Sequence, residues 1–204
     1  VCVVAEKFLK ANPSYFANVG LKVNLKFGGT NHQVNSPIDL FRGEERTMLV
    51  GYDVTHPTNL SAGQSPATAP SIVGLVSTID NNLGQWPAMV WNNPHGQESM
   101  TQKFTAKFQT RLELWRRANK SLPKKILIFR DGVSEGQFLM VIRDELPLIR
   151  AACAKMYEGG KVPPITLIVS VKRHQTRFYP TDPGHIDQSK SPKQGTVVDR
   201  GVTN

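Results

Sequence analysis

Apolar runs and their spacing divide the chain into strands and helices before any chemistry is considered. Ile126-Leu-Ile-Phe129 runs straight into Arg130-Asp131 and a glycine. That predicts a buried strand ending in a sharp turn, with a helix beginning about Gly136. Thr47–Val54 holds a second such run, Met48-Leu-Val-Gly-Tyr-Asp53-Val, followed by Thr55-His56-Pro57. Ser71–Ile79, Gln85–Asn92 and Ile165–Val171 predict three more strands. The links between the first three are short enough for an antiparallel meander. Helical spacing places Phe16, Val19, Val23 and Phe27 on one buried stripe, after an Asn12-Pro13 start and before a Gly28-Gly29 stop. A long helix is predicted over Ser99–Asn119, with Phe104, Phe108, Leu112 and Trp115 inward, and another over Gln137–Tyr157. Val1–Lys10 reads as a severed strand and turn, residues 30–46 as a polar connector and residues 59–70 as a mobile loop. Beyond Phe178 the only strand signal is a weak one at Thr196–Val198.

Three strands, helix, strand, helix, strand is the order of an α/β domain: a mixed β-sheet flanked by helices. It matches the architecture of the ribonuclease-H-like nucleases, although fold alone does not give function. The length of 204 residues suits one such domain with a piece of a second. No apolar run approaches a membrane span, so a membrane role is not expected. Cys2 and Cys153 lack metal-like spacing and read as reduced thiols of an intracellular protein. The net charge of +9 favours a polyanionic partner such as nucleic acid. That charge is concentrated: nine Lys or Arg and one acid, Glu113, lie between Thr101 and Arg130, with Lys103, Lys107 and Arg111 on one helix flank.

Asp53 and Asp131 each end a predicted central strand, at the mouth of the sheet where ligands bind in α/β folds. If the two strands are neighbours, the carboxylates repel unless a cation lies between them, and Mg²⁺ or Mn²⁺ suits oxygen ligands. The plainer readings are a turn Asp for Asp53 and half of an Arg130 ion pair for Asp131. Lys22 and Lys26 present two ammonium groups from one helix face, which is also what a solvated face looks like. Lys172, Arg173 and Arg177 follow the fifth strand and suit phosphate contacts. Trp86, Trp91 and Trp115 are expected in the core rather than as stacking platforms.

Four segments, in order, carry a family resemblance: Leu21–Gly29, Gly51-Tyr-Asp53-Val-Thr-His-Pro57, Phe129-Arg-Asp131-Gly-Val-Ser-Glu-Gly-Gln-Phe138 and Val171-Lys-Arg-His-Gln-Thr-Arg177. Together they resemble the PIWI domain of eukaryotic Argonautes. The resemblance implies the end of a MID domain and its connector over residues 1–46, and a PIWI domain truncated at its C-terminus over residues 47–204. It implies small-RNA-guided silencing, in the cytoplasm or the nucleus, with a guide RNA, a complementary target RNA and glycine–tryptophan-rich silencing proteins as partners. Cleaving members use Asp, Glu, Asp and His with two divalent ions, about 3.5–4 Å apart in two-metal sites. Asp53 and Asp131 fall on the two Asp positions as metal ligands, and Glu98, in Pro94-His-Gly-Gln-Glu98, falls on the Glu. Read alone, Glu98 is also a helix N-terminal acid. The final His belongs to a segment beyond Asn204, so the 204 residues by themselves are expected to cut little. Lys22 and Lys26 fall on lysines that hold the guide 5′-phosphate, and Lys172, Arg173 and Arg177 on guide-backbone contacts. Gln175 stands where many relatives carry His, and Val1 where the family often has a phosphate-binding Gln. The rival reading is a guide-binding silencing protein that does not cut and acts through recruited partners. A ribonuclease-H-like nuclease outside silencing is weaker, because it leaves the Lys22/Lys26 helix unexplained.

Overall fold

The computed structural model describes residues 3–10, 12–32, 46–57, 69–80, 83–171 and 174–202. They divide into two units, Val1–Val171 and Lys172–Asn204. The first opens with two helices, α1 (Ala5–Leu9) and α2 (Pro13–Lys26), where a strand had been expected before residue 10. Ala5, Glu6, Lys7 and Leu9 are good helix formers, and Lys10 reaches back one turn to Glu6 at 2.7 Å. The start of α2 is as its sequence requires: the Asn12 side chain accepts from the Ser14 and Tyr15 N–H groups, and Pro13 opens the helix. Its apolar stripe, however, is not buried. No residue of α2 is buried; Phe16 and Val23 are exposed and Phe27 is 87% exposed. Periodicity records a face that wants a partner, and within the described residues that face has little to cover it.

The strands are β1 (Thr47–Thr55), β2 (Ser71–Ser77), β3 (Ala88–Asn93), β4 (Lys125–Asp131) and β5 (Ile165–Ser170). They form one sheet in the order β3-β2-β1-β4-β5. β1, β2 and β3 make the expected antiparallel meander, while β4 and β5 run parallel to β1. β1 is therefore the middle strand, with β2 and β4 as its neighbours.

Two helices cover one face. α3 (Lys103–Asn119) buries Phe104, Phe108, Leu112 and Trp115, the stripe that its sequence marks. The other helical stretch passes from a 3-10 turn (Glu135–Gln137) through α4 (Phe138–Met140) and a π-helical turn (Val141–Glu145) into α5 (Leu146–Met156). In the wide turn the Leu146 N–H donates to the Val141 carbonyl, five residues back, and Pro147 follows with no N–H to give. These helices pack on Met48, Val50, Tyr52 and Val54 of β1, Val73 and Leu75 of β2, and Ile126 and Ile128 of β4. Trp91 and Trp115 join this core as expected; Trp86, before β3, is 40% exposed and donates its indole N–H to the Leu83 carbonyl. No described helix is long and apolar enough to cross a membrane.

In the second unit a 3-10 turn (Pro183–His185) and an isolated Ile186–Pro192 bridge are present, and Thr196–Val198 is not a strand. Most of the loop expected over residues 59–70, and most of the connector expected over residues 30–46, lie outside the described residues.

Candidate catalytic carboxylate centre

The two aspartates meet because of strand register. β1 and β4 are parallel neighbours, and their last aligned pair is Tyr52 with Arg130. One residue further along stand Asp53 and Asp131. Side chains alternate along a strand, so both carboxylates leave the sheet on the face opposite the helices. Phe129 and Ile168 share that face and are exposed, and the Asp53 side chain is 49% exposed.

The ground around Asp53 is unusually bare. Gly74 of β2 pairs with Asp53 across the ladder, and Gly51 precedes it on the same face of β1. Gly132 follows Asp131 with φ +87°. A Cβ there would stand 2.4 Å from Asp53 Oδ1, so only glycine serves both the backbone turn and the carboxylate beside it. Asp53 Oδ1 accepts from the Val54 N–H at 2.8 Å, and Asp131 Oδ1 from the Gly132 N–H at 2.9 Å.

Glu98 reaches this end of the sheet from the loop before α3. Because α3 begins at Lys103, Glu98 is not an acid of its first turn. Arg130 Nη2 donates to Glu98 Oε1 at 2.8 Å and to the Glu98 carbonyl at 3.1 Å, and His56 Nε2 lies 2.8 Å from Glu98 Oε2. Arg130 Nη1 is also 4.0 Å from Asp53 Oδ1 and donates to the Asp131 carbonyl. One guanidinium thus touches the loop of Glu98, the strand of Asp53 and the end of the strand of Asp131.

Arg130 itself is anchored from below. Its side chain is fully buried, and it donates to Glu145 Oε2 at 3.0 Å and Glu145 Oε1 at 3.1 Å. Glu145, also fully buried, belongs to the π-helical turn and accepts from the Tyr52 hydroxyl at 2.8 Å. The guanidinium lies 5.1 Å from the centre of the Tyr52 ring. Burial pulls the Arg130 guanidinium down, but bonding to Glu145, with Tyr52 and Glu98, outweighs it and raises the group above its ordinary value. Burial, and then the Glu145 charge, push the Tyr52 phenol well above its ordinary value.

Arg130, His56 and Glu145 are the residues that sequence reasoning missed as parts of this centre. The signal was present for Arg130. It continues the inward alternation of Ile126 and Ile128, and an inward arginine requires carboxylate partners. Those partners are 32 and 15 residues away in sequence, so the adjacent Asp131 drew the attention instead.

Lys22 and Lys26 lie on the exposed helix α2. Lys172 and Arg173 fall outside the described residues. Arg177 belongs to the second unit, where it is exposed and donates to the carbonyls of His174 and Thr176. Among the described residues no three His, Cys, Asp or Glu side chains stand together as a ready metal-ligand group.

Comparison with known proteins identifies the family. The model of the Piwi domain family matches residues 1–204. The chain belongs to the Piwi domain family. Its relatives include the argonaute protein of Schizosaccharomyces pombe, 34% identical over all of this chain and 23% of that protein. The rice argonaute MEL1 is 34% identical over 98% of this chain and 20% of its own length. The chain thus spans about a fifth of the length of these curated relatives. Among solved structures, the MID-PIWI domains of Neurospora crassa QDE-2 are 74% identical, with a TM-score of 0.70 over 83% of this chain and 47% of that one. Kluyveromyces polysporus Argonaute, solved with a guide RNA, is 33% identical, with a TM-score of 0.76 over 89% of this chain and 20% of that one. The C-terminal lobe of a budding yeast Argonaute is 32% identical, with a TM-score of 0.80 over all of this chain and 42% of that one. The sheet and its helices are therefore the ribonuclease-H-like core of a eukaryotic Argonaute Piwi domain.

Proposed function

We propose that this Piwi domain serves small-RNA-guided silencing, and that the protein containing it cuts target RNA paired to a guide. The observation that supports cutting is the placement of Asp53 and Asp131 on one open face of neighbouring strands, with Glu98 drawn to the same end of the sheet. The residues fit a divalent cation, Mg²⁺ or Mn²⁺. Asp53 and Asp131 are hard oxygen donors, and the missing Cβ at Gly132 leaves room beside Asp53 Oδ1. Asp53 and Asp131 would hold the ions, with Glu98 completing the set. Bound there, two such ions would activate water and stabilise the leaving oxygen of the phosphodiester. The protein's own part is to hold three carboxylates in place, and Arg130 links their three chain segments.

Lys22 and Lys26 are read as binding the guide 5′-phosphate, and Lys172, Arg173 and Arg177 as binding its backbone. Sequence choice then comes from guide–target pairing, while the protein grips backbone and duplex shape, as in RNA-guided DNA recognition. Glycine–tryptophan-rich silencing proteins, and a place in the cytoplasm, complete the reading.

The test is direct. The full-length protein, loaded with a 5′-phosphorylated guide and given Mg²⁺, should cut a matched RNA and spare a mismatched one. Guide-dependent capture of the target with no scission would replace this reading by silencing through recruited partners.

A further inference from the structure

The loop that carries Glu98 is held by a buried hydroxyl. Ser71, the first residue of β2, is fully buried. Its Oγ lies 2.8 Å from His56 Nδ1 and accepts from the Gly96 N–H at 3.1 Å. Gly96 belongs to the Glu98 loop, and His56 contacts Glu98 itself. One hydroxyl therefore grips the loop twice, through its backbone and through the imidazole that meets its carboxylate.

The direction of each bond follows from what each group can do. The Glu98 carboxylate accepts, so His56 Nε2 must carry the proton it faces. In the neutral ring Nδ1 is then bare and needs a donor. The Gly96 N–H can only donate and uses one lone pair of Ser71 Oγ. The Ser71 O–H is left to donate to Nδ1, completing a one-way chain from Gly96 through Ser71 and His56 to Glu98, with every group satisfied. Other ties hold the loop's ends: Asn93 Nδ2 donates to the Gln97 and Ser99 carbonyls at 2.9 and 3.0 Å, and His95 Nδ1 lies 2.7 Å from the Ala69 carbonyl. None of these reaches the Glu98 carboxylate; the chain through Ser71 does.

We propose that Ser71 is a positioning residue for Glu98, setting His56 in the tautomer protonated at Nε2 and fixing the loop at Gly96. The proposal rests on the reading that Glu98 serves RNA cleavage. Orienting groups of this kind typically matter by about 10–100-fold in activity or metal affinity.

Two measurements on the full-length protein test it separately from that reading. In ¹⁵N-histidine-labelled protein, at a pH where the His56 ring is neutral and with its signal assigned by its loss in His56→Gln, the nitrogen shifts should show a protonated Nε2 and a bare Nδ1. A proton on Nδ1 of the neutral ring overturns the proposal whether or not the protein cuts. In single-turnover cleavage, Ser71→Ala should slow the cut by about 10–100-fold at unchanged guide affinity, and Ser71→Thr, which keeps the hydroxyl, should recover more of the rate than Ala. If the wild type cuts and Ser71→Ala cuts equally fast, or if Thr is no better than Ala, the proposal is overturned. If the wild type does not cut, the cleavage reading fails and the tautomer alone decides the role of Ser71. If Ser71→Ala does not fold, the wild-type tautomer again decides.

Discussion

The carboxylate end of the sheet and the lysine helix α2 carry the two halves of the proposed activity, and they are built in opposite ways. At the sheet, the register of β1 and β4 fixes Asp53 beside Asp131, and a buried Arg130–Glu145–Tyr52 cluster holds the guanidinium that meets Glu98. Each position there depends on contacts from elsewhere in the sequence. On α2 nothing is buried, and Lys22 and Lys26 depend only on helical geometry for their place. The first region is prearranged chemistry; the second is a charged face that gains meaning from what sits on it. Substitutions should separate the two cleanly, damaging folding and cutting in one and affinity alone in the other.

The largest effect is expected from Asp53→Ala or Asp131→Ala. Either change should abolish guided cleavage in a gel assay while leaving guide affinity close to wild type; a large affinity loss would mean that these carboxylates shape the guide site instead. Next comes Arg130→Met, which strands the buried Glu145 charge. It should lower unfolding free energy by about 3–5 kcal/mol in urea titrations. A loss no larger than that of a surface substitution would show that the cluster is not the anchor described here. Gly132→Ala combines a positive φ with a Cβ 2.4 Å from Asp53 Oδ1. It should cost about 1–3 kcal/mol of stability and reduce cutting more than guide binding. The smallest effect on stability belongs to Lys22→Ala with Lys26→Ala, within about 0.5 kcal/mol of wild type. That double variant should weaken 5′-phosphorylated guides more than unphosphorylated ones; equal weakening would make the two lysines ordinary surface charge.

The same contrast explains what was legible from sequence. The strands, the meander and the stripe of α3 could be read because alternation and helical spacing record burial within one element. Asp53 and Asp131 could be found as strand ends, and their pairing needed only that the two strands be neighbours. Periodicity misled at α2, where Phe16, Val23 and Phe27 form an apolar face that remains exposed. It also said nothing of Ser71, His56, Arg130 and Glu145 acting together. Their bonds join residues 15 to 42 positions apart, and no local pattern encodes such a meeting. The π-helical turn at Val141–Glu145 was invisible for a related reason: one additional residue in a turn barely disturbs helical spacing, although here it lies just where a buried glutamate meets Arg130.

The central claim is that Asp53 and Asp131 share divalent cations, and Mn²⁺ binding tests it most directly. In calorimetric titration of the guide-loaded, full-length protein, Asp53→Asn and Asp131→Asn should each sharply weaken Mn²⁺ binding while leaving the guide in place. Binding in either variant that matches the wild type would contradict the account.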